Sequence, residues 1–102
     1  MIGIIVQTDK DVDDLDKDWV PSIFSVSELS KAFEKVLGYV PSTEEFCHEE
    51  GEILIYFSID DLAEPRAITF NCTLTGAQAD IVKRIAAFMG AKIYDSETGT
   101  FV

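Results

Sequence analysis

The stretch Leu74–Val102, LTGAQADIVKRIAAFMGAKIYDSETGTFV, decides the fold. Thr75 can cap a helix, and Gln78 three residues on can reach back to it, which makes a capping box. Ile81, Val82, Ile85, Phe88 and Met89 then recur at helical spacing, while Asp80, Lys83 and Arg84 occupy the other face. Gly90 follows the last apolar position, where a left-handed residue usually closes a helix. Beyond it, Lys92–Asp95 and Thr100–Val102 read as short strands joined by Ser96-Glu97-Thr98-Gly99. The pattern is a helix laid on a sheet, followed by a C-terminal hairpin.

Working outward, Ala67–Leu74 reads as a strand with Ile68, Phe70, Cys72 and Leu74 on one face. Asp60–Pro65 is a turn, and Ile53–Ile59 is a second strand. Ser42–Glu52, carrying Glu44, Glu45, Glu49, Glu50 and Glu52, reads as an acidic connection. Another helix starts at Ser25, which pairs with Glu28 as a capping box while Phe24 and Leu29 form a hydrophobic staple. Its stripe is Val26, Leu29, Ala32, Phe33, Val36 and Leu37; Gly38 ends it, with Pro41 just beyond. Ile2–Val6 is apolar on both faces and suits a central strand, in which Gly3 either weakens the strand or marks a close backbone approach. The order is strand, helix, strand, strand, helix, strand, with a final hairpin arm. With right-handed crossovers it predicts an α+β, ferredoxin-like split βαβ sandwich: two helices on one face of an antiparallel sheet, in a single domain over residues 1–102.

Charge narrows the function classes. Nineteen acids against eight bases give a net charge of −11, a field that repels nucleic acid and anionic membranes and attracts basic proteins. No nucleic-acid or membrane partner is expected. The N-terminal apolar run is too short for a secretory core or a membrane span and has no basic leader, so the chain reads as soluble and cytoplasmic, its two cysteines reduced.

The candidate sites are few. Asp9-x-Asp11-x-Asp13 opens with calcium-loop spacing, but Asp14 and Val20 stand where an EF-hand needs Gly and Glu. The whole run, with Asp14, Asp16 and Asp18, reads as a solvated loop ending at Trp19. Trp19 has two readings, an interface anchor within a charged rim or a lid folded over the core. Cys47, His48 and Cys72 with a carboxylate are too few for a well-supported zinc site, and adjacent residues on an extended segment point to opposite sides. Cys72 reads as a small core residue, His48 as a surface residue, and Tyr39, Tyr56 and Tyr94 as packing residues. No phosphate-binding glycine loop or nucleophile elbow is present, so no catalytic residue, cofactor or metal is expected.

The tail Ala87–Phe101, AFMGAKIYDSETGTF, in a small, strongly acidic α+β chain, resembles immunity proteins of bacterial polymorphic and contact-dependent growth inhibition toxin systems. The resemblance implies a protein that binds a toxin domain, often a basic nuclease, and covers its active site. It transfers no functional residues, because such proteins share no binding motif. From the residues themselves, the expected partner surface is Asp9, Asp11, Asp13, Asp14, Asp16, Asp18 and Trp19, with Glu44 and Glu45 as a second patch. The rival expectation is a dimeric ferredoxin-like module that binds a small ligand or regulates, pairing through its sheet edge.

Overall fold

The computed structural model describes residues 2–8, 21–72 and 76–101. Its elements run β1 (Ile2–Val6), α1 (Val26–Leu37), β2 (Glu45–Glu50), β3 (Ile53–Ile59), β4 (Ala67–Asn71), α2 (Gly76–Phe88), β5 (Lys92–Asp95) and β6 (Thr100–Phe101). They build an α+β architecture with two helices and one open six-stranded sheet, ordered β2-β3-β4-β1-β5-β6. Every neighbouring pair is antiparallel. Because β1 pairs antiparallel with both β4 and β5, those two strands run parallel with β1 between them, and α2 makes the crossover. This arrangement is compatible with a ferredoxin-like class.

One expected connection is a strand. The segment expected as an acidic connection holds β2, a full edge strand paired with β3 from Glu45↔Ser58 to Glu50↔Ile53. Composition hid it, because glutamate is depleted in strands. An edge strand tolerates glutamates, which point into water and discourage pairing with other chains. The inward positions Phe46 and His48 alternate with the outward Glu45, Cys47 and Glu49 at strand spacing. Gly51 and Glu52 form the two-residue hairpin loop, and Gly51 has φ 62°, the positive angle a primed turn needs at its first central residue.

The helices fold as their caps dictate. Ser25 takes an extended conformation and its hydroxyl accepts from the Glu28 N–H at 3.4 Å; Gly38, at φ 90°, donates its N–H back to the Glu34 carbonyl. At the end of α2 the Ala91 N–H reaches the Ala86 carbonyl at 2.8 Å around Gly90, the six-to-one closure of a Schellman motif. Thr75, the expected cap of α2, lies outside the described residues. Two stripe positions are corrected: Val26 and Phe88 are exposed at the margins of their helices instead of buried.

The core sits between the helices and one face of the sheet. Ile5, Ile55, Phe57, Ile59, Ile68, Phe70 and Ile93 project from the strands; Leu29, Phe33, Val82 and Ile85 meet them from the helices, with Met89 just past the end of α2. Phe33 contacts Phe46 and Phe57 edge-on, each at 5.6 Å between centroids, while Phe46 stacks on Phe57 at 5.1 Å. A register row runs Phe46, Phe57, Phe70, Gly3. The Phe70 ring lies over Gly3 so closely that a Cβ there would overlap it. What crowds Gly3 is a side-chain ring rather than another stretch of backbone, and the missing Cβ makes room for it.

Candidate partner-binding surface

The helices cover one face of the sheet; the register specifies the other. Three rows cross that open face: Cys47, Tyr56, Asn71 and Ile2; then Glu45, Ser58, Thr69, Ile4, Tyr94 and Phe101; then Ala67, Val6 and Lys92. Tyr56 is 54% exposed and Ile2 49%, and Leu54 is exposed beside them. Large apolar side chains at these positions are the result of strand alternation, since residues one step away fill the core. Tyr56, expected as packing, instead stands out from the sheet.

Between these rows lies a depression of about 440 Å³, lined by Ile2, Cys47, Tyr56 and Asn71 and bounded by Glu45 and Ser58. Glu45 and Ser58 also border a second, more polar hollow that includes Glu44 and Asp60. The two share a wall, so an apolar seat adjoins an acidic one.

The acids around this corner are unopposed along the chain. Residues 36–65 contain Glu44, Glu45, Glu49, Glu50, Glu52, Asp60, Asp61 and Glu64 and not one lysine or arginine. All eight are exposed. Two also build local structure: Asp61 Oδ1 accepts from the Ala63 N–H, and Asp60 Oδ1 accepts from the N–H groups of Arg66 and Ala67, which closes the β3–β4 turn. Glu44 and Glu45, expected at a partner surface, thus lie at the start of the edge strand. The other expected positions, Asp9, Asp11, Asp13, Asp14, Asp16, Asp18 and Trp19, lie outside the described residues.

His48 corrects a sequence expectation. It is 5% exposed, turned to the helix side of β2 rather than lying on the surface. The Tyr39 hydroxyl lies 3.0 Å from its Nδ1. Nε2 is 3.4 Å from Oε2 of the exposed Glu50, too poorly directed for a hydrogen bond, and remains without a hydrogen-bond partner. Burial, and then the neighbouring Cys47, push the Tyr39 hydroxyl above the ordinary tyrosine pKa. Cys47 is exposed while its neighbour His48 is buried, so the two side chains stand on opposite faces and make neither a nucleophile pair nor a chelate. Cys72 is a buried core residue as expected, and burial raises its thiol pKa. Among the described residues no group of three or more His, Cys, Asp or Glu side chains is placed to hold a metal ion.

No protein-family model, curated protein or solved structure matches this chain. Among the described residues no helix is long and apolar enough to cross a membrane.

Proposed function

We propose that this chain is a non-catalytic binding protein for a basic protein domain, acting as a cytoplasmic immunity protein that neutralises a toxin, with a nuclease as the favoured target. The carrying observation is the run of eight exposed carboxylates, without one lysine or arginine, over residues 36–65. A nuclease needs a cationic groove to hold phosphates, and carboxylates that occupy the same groove gain fast, steered association. Glu44 and Glu45 belong to this surface. The aspartates from Asp9 to Asp18, with Trp19, are a second contact in the same reading. In fold terms, β3-β4-β1-β5 with the two helices is read as a ferredoxin-like split βαβ core, to which β2 and β6 add edges.

The test is affinity capture from the source organism's lysate at low and high salt, with wild-type bait and a Glu44→Gln/Glu45→Gln/Glu49→Gln bait. One basic protein should be retained stoichiometrically, with a wild-type affinity that falls as salt rises. A wild-type bait that retains no basic partner, or a partner indifferent to both salt and the triple change, refutes the proposal. A homodimeric module is the second reading, favoured by the exposed Ile2 and Tyr56 on the uncovered sheet face. It requires a dimer in sedimentation equilibrium and no basic partner.

A further inference from the structure

We infer that the basic partner is gripped by the open face of the sheet at the β2–β3–β4 corner, through an extended segment in which basic and apolar side chains alternate in pairs. The inference rests on the proposed basic partner and says where and how it is held. Charge alone would distribute a basic partner over the whole acidic surface. What singles out this corner is the joining of two unlike hollows across Glu45 and Ser58.

On one side of that wall, Tyr56 and Ile2 flank an apolar depression to which Cys47 and Asn71 contribute. On the other, Glu44, Glu45 and Asp60 supply carboxylates. In an extended chain, side chains two residues apart point the same way and lie under 7 Å apart. One apolar side chain can therefore enter beside Tyr56 while a lysine or arginine two residues away meets Glu44 and Glu45. Glu49, on the same face of β2 and opposite Leu54, repeats the acid-beside-apolar pairing at the far end of the strand. Exposed aromatic side chains ringed by polar groups are the usual anchors of such contacts, because burying them releases much apolar surface for little lost rotamer freedom. A second copy of this chain is disfavoured as occupant, since it would bring its own unopposed carboxylates against the same acids.

The experiment uses two acetylated, amidated octapeptides of equal length and charge, Lys-Lys-Val-Val-Lys-Lys-Val-Val and Lys-Lys-Ser-Ser-Lys-Ser-Lys-Ser. Each is titrated into the intact protein by calorimetry and by amide chemical-shift mapping. The valine peptide should bind about tenfold more tightly, the worth of one buried aliphatic side chain. Its shifts should centre on Ile2, Cys47, Tyr56 and Asn71. Tyr56→Ala, a change at an exposed position that the core does not need, should abolish the difference between the two peptides. Equal affinities of both peptides for the wild type overturn the seat and leave the basic-partner reading standing. Failure of both peptides to bind overturns the seat and counts against that reading too. A dimer that Tyr56→Ala dissociates overturns it in favour of a second copy.

Discussion

The contact between Tyr39 and His48 offers the sharpest test of how the edge strand is held. His48 is buried, one of its ring nitrogens faces the Tyr39 hydroxyl at 3.0 Å, and the other has no hydrogen-bond partner. Tyr39→Phe leaves a second buried nitrogen unsatisfied. That penalty is about 1–3 kcal/mol for a fully enclosed group, and the partial exposure of Tyr39 places the expected cost near the bottom, about 1 kcal/mol. His48→Phe or His48→Leu loses the same hydrogen bond but also removes the orphaned nitrogen. The freed Tyr39 hydroxyl can turn to water, so these terms offset and the net change should stay within about 1 kcal/mol. In the His48→Leu background, Tyr39→Phe should then cost almost nothing, giving a coupling of about 1 kcal/mol. Urea unfolding followed by far-UV circular dichroism measures all four corners, and unchanged slopes would show that midpoints report stability. Equal costs for Tyr39→Phe with and without the imidazole would refute the reasoning, as would a loss above about 2 kcal/mol for both His48 replacements.

Three further outcomes follow from the core and the thiols. Gly3→Ala should destabilise by about 1–3 kcal/mol, because the added methyl must displace the buried Phe70 ring; a neutral result in urea unfolding would mean that the ring moves freely. In native protein a maleimide should modify Cys47 quickly and Cys72 only on unfolding, as read by mass spectrometry of the peptides. Because burial raises the Cys72 pKa, the folded state holds its proton longer than the unfolded state. The stability this contributes is fully present below the ordinary thiol range and is lost as pH rises through the raised value. Tyr39 acts in the same direction at higher pH. Cys72→Ala should flatten the alkaline limb of stability against pH between the ordinary thiol value and the tyrosine range, and an unchanged limb would contradict it.

The helices were legible because each carries its own instructions. Ser25, Gly38 and Gly90 act on backbone groups within one turn, so local sequence suffices to read them. The hairpin after Lys92 was legible for the same reason, its loop set by Asp95, whose side chain accepts from the Glu97 N–H and whose carbonyl accepts from Gly99. Strand β2 was not. A run of five glutamates within nine residues resembles solvated loop when composition is weighed, and only the alternation of Phe46 and His48, with Gly51 as a turn residue, points to a hairpin. His48 was misread for the same reason. Placed in a loop, it belongs with its acidic neighbours; placed in a strand, parity alone turns it inward with Phe46.

By itself, then, the sequence determined the two helices, the start of α1 and the close of both, the apolar alternation of the inner strands and the strong negative charge, all properties written within a few residues or summed over the whole chain. The register across six strands belongs to neither kind. It depends on pairings between segments as distant as Ile2 and Asn71, or Ile4 and Tyr94, and on which face the helices cover. Only the tertiary structure could bring Ile2 and Tyr56 to one depression, set Glu44 and Glu45 along the adjoining hollow, and turn Cys47 and His48 to opposite faces. A surface made of one residue from each of several strands has no signature along the chain, because strand order rather than sequence distance decides which side chains become neighbours.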